Sequence, residues 1–529
     1  MAQKHTLEEL NNCSREELIT IVLMMQGQLD ALNDNIEKLI EQVRIANNYR
    51  FGRHTESLKS IEGQLSFFDE ADAAYDESSR EPSAEEVITA KRAKKKGQRN
   101  IDLKDFPEEI LPPYSVSEEQ LDAFYGKGNW RRMPDETYKR LRHEPEAWTV
   151  EIHTVEVYVG TDGDHQDEFL RGNRPKDLLR NSIVTPSLLA SILNVKYVNS
   201  SALHRIEQEF QRNGVNISRQ TMSNWIVKCS QMYFTPFVER MKQELLSLHV
   251  TQSDETPTQV IADSDHPNSK CYMWVHRSGE FYTRRPIVVY EYQKGRDHQK
   301  PLDFYKDYKG VLVTDSLQQY HLVDKKLPDV TNANCWAHAR RYFIEAIPPD
   351  LPKEDLLGSI CKKAIERINE LFAIDKGLAG LTKEEREEQR LQLEKEKLEA
   401  YFAWLQDIEL NVLPKSKLGK AVQYSLSHKE ALQAFLKSGN AALSNNICER
   451  AIRNFTIGRK NWLFSDSPKG AKASAAVYSI IETAKVNGLN PFQYLRYLFE
   501  HLPNTDIQRH PEHLDDVLPW NETIQQNCK

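Results

Sequence analysis

The 529-residue sequence has no run of about 18 apolar residues, and its N-terminus lacks the apolar core of a secretion signal. A membrane-spanning role is therefore not expected. Its seven cysteines are scattered and no two form a CxxC pair, which argues against a disulfide framework and for a reducing, cytoplasmic setting. No Cys lies between Cys13 and Cys229. Nor does one sign of charge dominate: the formal net charge is -8 although 28% of residues are charged, so any polyanion-binding surface must come from local distribution. The length exceeds what one core can organise, and three or more domains are expected.

What is present changes character along the chain. Leu18, Met25, Leu32 and Leu39 form one row and Val22, Leu29, Ile36 and Val43 another, alternating by four and three as in a coiled-coil seam. A self-associating coiled coil is expected over 15–50, because the residues between these rows are almost all polar. Residues 64–105 read as a charged linker, acidic from Asp69 to Glu86 and basic from Lys91 in KRAKKKGQRN. That basic run reads first as a solvated tether and second as an arm for DNA phosphates. Alternation in Trp148–Gly160, followed by the turn-like GTDGDHQD, predicts a small β-containing domain over 106–180.

From Thr185 the pattern becomes helical, with Thr185 as cap and Pro186 in the first turn. A helix ending near Arg212, an Asn-Gly turn and a second helix capped by Ser218 give a helix-turn-helix layout within 181–245. Met222, Trp225, Ile226 and Cys229 supply the second helix's buried face. Arg219, Gln220, Ser223 and Asn224 lie near its N-terminus, where such side chains reach base edges and phosphates. An ordinary helical hairpin shares much of this pattern.

Strand-like runs then occur at LHVTQSD, CYMWVHRS, PIVVYEYQ, VLVTD and TNANC, with helices near His298–Tyr308 and Trp336–Ala346. By fold-level analogy this is the order of a ribonuclease-H-like core, with its first part at 246–350. A charged helical block at 351–440 carries no strand signal and reads as an insertion. The core is expected to resume over 441–500, before a C-terminal tail at 501–529.

Asp254 ends the first strand run and Asp315 the fourth, and those strands would be neighbours. Glu449 follows the insertion, on a helix expected from Ile447 to Phe455 with a turn at Gly458. It lies among Arg450, Arg453, Arg459 and Lys460, a cationic setting suited to a polyanion. Alone, this stretch is more common as the charged face of an ordinary helix. With two strand-end acids it makes a three-carboxylate set without His or Cys, suited to Mg²⁺ or Mn²⁺ and to phosphodiester chemistry. Glu255, Asp324 and Glu482 are neighbouring acids not assigned to this set. Cys335 and His338 in CWAH are two ligands where a structural zinc site needs four, and read as support for the active-site wall.

The segments LHVTQSDETPTQV, GVLVTDSLQQY, NCWAHARRYF, SNNICERAIRNFTIGRKNWLFSDSPKGA and LDDVLPWN resemble the insertion sequence 66 family of DDE transposases. The resemblance extends from the coiled coil with its FGRHTE end to the C-terminus, and GRKNW is its most specific motif. It implies a multidomain α/β protein with a ribonuclease-H-like catalytic core, in which Asp254, Asp315 and Glu449 form the DDE triad. It also implies Mg²⁺-dependent cleavage and strand transfer at transposon ends. DNA ends and target DNA would be the partners, beside a homodimer or higher oligomer and small accessory proteins of the same element. The setting would be the cytoplasm, at the nucleoid. A catalytically decayed DNA-binding regulator and a nuclease without strand transfer are the alternatives. The family's cysteine-rich zinc segment has no counterpart here, so zinc is not expected.

If the two heptad rows form the self-association seam, Leu32→Pro or Ile36→Asp should lower the oligomeric mass measured by light scattering. An unchanged mass would remove the seam from the account.

Overall fold

The computed structural model describes residues 175–263, 270–347 and 359–529, together with Glu119, Trp148, Val150, Glu151 and the strand residues 157–159 and 169–171. The expected coiled coil, the charged linker and most of the 106–180 segment lie outside the described residues. Apart from Ile347, the described residues belong to one compact unit, Phe67–Ala346 with Glu354–Lys529. Among them no helix is long and apolar enough to cross a membrane.

Two short strands, β1 (Val157–Val159) and β2 (Phe169–Arg171), pair antiparallel on either side of the GTDGDHQD stretch. Helix α1 (Pro186–Leu193) starts where expected: the Thr185 hydroxyl accepts a hydrogen bond from Leu188 N at 3.2 Å, and Pro186 opens the first turn. Helices α2 (Leu203–Arg212) and α3 (Arg219–Cys229) are joined through Gly214, whose φ of +78° suits glycine. Ser218 caps α3 at Thr221 N, and Met222, Trp225, Ile226 and Cys229 are its buried face. Helix α4 (Thr235–Leu246) then leads into the sheet.

The sheet contains β3 (Val250–Thr258), β4 (Cys271–Ser278), β5 (Val288–Lys294), β6 (Gly310–Thr314) and β7 (Val330–Asn334), in the order β5-β4-β3-β6-β7. The first three strands form an antiparallel meander, while β6 pairs parallel to β3 and β7 parallel to β6. Parallel pairing requires crossovers, supplied by α5 (Gln299–Tyr305) and α6 (Gln318–Lys326). Helix α7 (Trp336–Glu345) follows β7. The first and fourth strand runs of the sequence are thus neighbours, as their order suggests.

Between α7 and the next return to the sheet, the described residues fold as α8 (Ile360–Leu378), α9 (Lys383–Leu393), α10 (Lys395–Glu409), α11 (Lys417–Ser427) and α12 (Lys429–Gln433), with a 3₁₀ turn at Ala434–Lys437. The charged α9 is no free arm. Arg386 and Arg390 point inward and are buried, donating to carbonyls that helix ends leave over. Arg386 reaches Leu378 O, Ala379 O, Leu381 O and Gly439 O. Arg390 reaches Ser438 O at 3.0 Å and pairs with Asp375 at 2.6 Å. Nearby, buried Glu394 has its carboxyl pushed up to about 8, first by burial, then by Asp375, against Arg390.

The chain returns as α13 (Asn446–Trp462), which differs from the shorter helix expected to turn at Gly458. Gly458 is inside the helix, and its lack of a side chain serves contact: a Cβ there would overlap the Trp462 ring and the Tyr478 hydroxyl. Helix α14 (Pro468–Val486) lies along the outer edge of β5. Ser479 accepts from Tyr290 N at 2.8 Å, and Thr483 accepts from Val288 N at 3.0 Å and donates to Val288 O at 2.9 Å. Asn487, just past the helix, donates to Pro286 O. Four residues of helix advance about 6 Å and two of strand about 6.8 Å, so the repeats match and side chains complete the strand's open ladder. Helix α15 (Pro491–His501) and the segment expected as a tail pack back on this body, burying Leu514, Val517, Leu518 and Ile524 before α16 (Glu522–Asn527) ends.

Replacing Ser479→Ala and Thr483→Val together leaves buried backbone donors of β5 unmatched. The loss expected is about 1–3 kcal/mol per site, read from the urea midpoint. A midpoint equal to wild type would mean that the hydroxyls are incidental.

Glu394 gives a pH signature. Its folded-state pKa lies above the usual value of 4.5, so folding binds a proton between roughly 4.5 and 8 and stability falls as pH rises through that window. Glu394→Gln should melt close to wild type near pH 5 and higher than wild type near pH 9. Parallel melting curves across the range would contradict a buried, protonated Glu394.

Candidate active site

The two aspartates are brought together by strand register. Parallel pairing of β3 with β6 ends at Gln252 opposite Val313, and two residues further along each strand stand Asp254 and Asp315. Successive side chains alternate faces, so both follow their pairing partners on one face. Asp254 is not a strand end, contrary to the sequence expectation. β3 continues to Thr258 against β4, and Asp254 sits where β6 has parted from it. Its Oδ1 accepts from Glu255 N at 2.8 Å, while Asp315 Oδ1 accepts from Leu317 N at 3.3 Å in the turn leaving β6.

Glu449 arrives on the first turn of α13, whose start is fastened to the sheet. Asn445 Nδ2 donates to Ser253 O at 3.1 Å and Asn445 N to Cys335 Sγ at 3.3 Å. Gln252 Nε2 donates to Ser444 O, Arg277 Nη1 to Ile447 O and Trp336 N to Leu443 O. Further along, the Arg459 guanidinium donates to Pro257 O and Thr256 Oγ1. Gln252 and Thr256 share the face of Asp254, and α13 covers that face. Ser253 and Glu255 point the other way, where Tyr320 of α6 meets both.

Burial raises the Asp254 carboxyl well above the usual carboxylate range, and the charges of Asp315, Glu255 and Glu449 add to it in that order. Asp315 is pushed up to about 8, first by burial, then by Glu255 and, more weakly, Glu449, against the Leu317 hydrogen bond and Arg296. Acids that hold their protons because other acids crowd them are a place that a cation would relieve. The oxygen-only donor set fits Mg²⁺ or Mn²⁺. Among the described residues, the set whose ligand atoms all lie within 4.8 Å of one another is His510, Glu512 and His513. The ligand atoms of the three acids are not all within that distance of one another.

His338 Nε2 stands 3.7 Å from Glu449 Oε1. Burial first, then Arg341, pushes its imidazole down to about 3, so it is neutral and supplies no counter-charge to Glu449. Cys335 stands at the N-cap position of α7, and its sulfur accepts from Asn445 N. The other acids separate clearly. Glu482 sits on α14 against Asn454 at 2.6 Å and Lys485 at 2.9 Å, and Asp324 is exposed on α6. Glu255 pairs with Arg296 at 2.6 Å and accepts from Tyr320 OH at 2.8 Å. Of the cationic residues, Arg450 and Lys460 are exposed, Arg453 is half-buried and Arg459 holds β3. Arg219, Gln220 and Asn224 are exposed on α3, apart from the acids in the fold; Gln220 donates to Asn224 at 3.3 Å.

Three residues at the site escaped the sequence reading. Asn445 reads in sequence as part of a polar SNN stretch; it stands at the N-cap position of α13, but its side chain bonds β3 and not the helix, which no local pattern announces. Arg296 and Tyr320 belong to no spacing pattern, since their roles arise from Glu255 on the reverse face of β3.

Comparison with known proteins bears on this geometry. Residues 181–473 match the family described as Transposase IS66 family, and residues 479–520 match the IS66 C-terminal element. Three uncharacterized proteins of Sinorhizobium fredii are similar. The chain is 29% identical to y4qI over 67% of its own length and 66% of that protein's. It is 25% identical to y4hP over 93% and 88%, and 26% identical to y4jD over 66% and 68%. With more than half of its length under the family match, the chain belongs to the IS66 transposase family.

Proposed function

We propose that the protein is a DNA transposase that binds the ends of its insertion sequence and carries out cleavage and strand transfer at a DDE triad of Asp254, Asp315 and Glu449. The observation that carries this reading is the crowding of the three acids: two strands that part at matching residues, and a helix that returns 100 residues after α7 ends, put carboxylates within electrostatic reach of each other. The sheet order, with its crossovers and inserted helices, supports a ribonuclease-H-like core.

Mg²⁺ or Mn²⁺ held by these acids supplies a more acidic nucleophile and stabilises charge on the leaving oxygen. The chain's own groups do the placing. Asp254, held by the Glu255 amide, Asp315, held by the Leu317 amide, and Glu449 on the first turn of α13 would hold the cation. His338 lies beside Glu449 and, being neutral, adds no positive charge that would oppose a cation there. Arg450 and Lys460 on the surface of α13 provide positive charge for a DNA backbone, and Arg453 adds to the same helix. The exposed Arg219, Gln220 and Asn224 make α3 the candidate for reading transposon ends, since base-edge contacts carry sequence information. The N-terminal heptads would pair two such chains so that two ends meet.

Purified protein incubated with labelled transposon-end DNA and Mg²⁺ should give nicked and strand-transfer products. Asp254→Ala, Asp315→Ala or Glu449→Ala should each abolish both while end binding persists, because the site and α3 are separate. Asp324→Ala, at the exposed acid, should keep activity. Nicking without transfer by the wild type would favour a nuclease, and binding with no reaction under any condition would favour a regulator. Loss of activity in Glu482→Ala but not Glu449→Ala would reassign the third acid.

A further inference from the structure

We infer that the C-terminal element carries a second, chemically different metal site, for Zn²⁺ or a similar nitrogen-preferring ion, formed by His510, Glu512 and His513. The ligand atoms of these three residues all lie within 4.8 Å of one another. Their placement follows from the local helix. Pro511–Val517 is a 3₁₀ helix, and three residues per turn stack positions three apart. One column, Leu514 and Val517, is buried in the body. Another is His510, His513 and Asp516, all exposed. Glu512 comes back toward the first of these, with its Oε1 3.0 Å from His510 Nδ1. That is close to the separation of roughly 3.3 Å between adjacent ligands of a tetrahedral ion bonded at 2.0–2.1 Å. His513 Nδ1 lies 3.6 Å from Asp516 Oδ2, so a further carboxylate stands beside the cluster.

The frame under the site is firm. Asp515 pairs with Arg240 of α4 at 2.6 Å, and Val517 O accepts from Tyr494 OH at 2.7 Å. Two imidazoles and a carboxylate favour Zn²⁺ over Mg²⁺, whereas an oxygen-only set suits Mg²⁺ or Mn²⁺. Three protein ligands leave a position for water, and exposure makes the ion exchangeable. The sequence offered no sign of it, because HPEH lacks cysteine and the spacing of known zinc motifs.

The test uses the full-length protein in excess Mg²⁺, titrated with ZnCl₂ by calorimetry. Wild type should bind one Zn²⁺ per chain more than His510→Ala with His513→Ala, and Glu512→Gln should weaken that binding about tenfold or more. Zinc should also raise the melting temperature of wild type by mass action, and this rise should be missing in the double variant. All three residues are on the surface, so the variants should melt like wild type in chelator, which separates lost binding from lost fold. Equal zinc stoichiometry in wild type and double variant, or displacement of the ion by Mg²⁺, would overturn the site. DNA cleavage plays no part in the readout, so the outcome is independent of the triad.

Discussion

The active-site geometry depends on how one short segment, Leu443–Cys448, is fastened as the chain re-enters the sheet. Asn445 is completely buried and does most of the fastening: its side-chain amide holds the β3 backbone and its own N–H meets the Cys335 sulfur. Gln252, Arg277 and Trp336 add bonds to the carbonyls of Ser444, Ile447 and Leu443. A long excursion adds little closure entropy, because that cost grows only with the logarithm of loop length. The difficulty is positional, since Glu449 must arrive beside acids set far earlier in the sequence. Polar fasteners at the re-entry point fix its place whatever the helical block does beyond it. The block contributes by closing on itself, with Arg386 and Arg390 consuming carbonyls at Leu378–Leu381, where α8 gives way to α9, and at Ser438–Gly439, where the block ends.

Crowded carboxylates oppose folding in the absence of a cation, and the structure limits this opposition from the far side of β3. Glu255 adds its charge to both aspartates, but strand alternation turns its side chain to the far face, where Arg296 and Tyr320 hold it. Arg296 in turn lowers the proton affinity of Asp315. Asp254 has no such partner and carries the largest burden of burial and repulsion. Strain of this kind at a site, relieved by a ligand, is the usual price of function in an otherwise well-packed body.

The sequence made legible what depends on local rules. Thr185 and Ser218 cap the helices they precede, the buried face of α3 is the one its spacing predicts, and the alternating runs became strands in the expected order. Asp254, Asp315 and Glu449 were chosen by strand order and family resemblance, and the fold brings them together. What escaped was set by tertiary partners. Gly458 looks like a turn by composition but is a packing notch, because Trp462 and Tyr478 are placed by other parts of the chain. Arg386 and Arg390 look solvated in a run of Glu and Arg, and only the carbonyls around them make burial favourable. α6 was implied by topology but not located, since QQYHLVDKK buries only Tyr320 and Val323 and has little apolar periodicity.

The GRKNW motif shows the same distinction within five residues. Its cations suggest a DNA surface, yet only Lys460 is exposed; Gly458 admits the Trp462 ring and Arg459 grips β3. Trp462 lies under Lys196, whose ammonium is 4.1 Å from the ring centre, and beside Tyr197. Burial pushes Lys196 down to about 8, so the indole face stands in for lost water around a partly desolvated cation. These residues follow α1, in the helical region that precedes the sheet. Helix α13 spans 17 residues, about 25 Å, with Glu449 in its first turn and Trp462 at its end. A single stiff element therefore joins the acid cluster to the segment after α1, in the helical region that also contains α3. A helix packed at both ends fixes the separation of those two places, which is what the proposed function, binding one stretch of DNA and cutting at a set interval from it, would require.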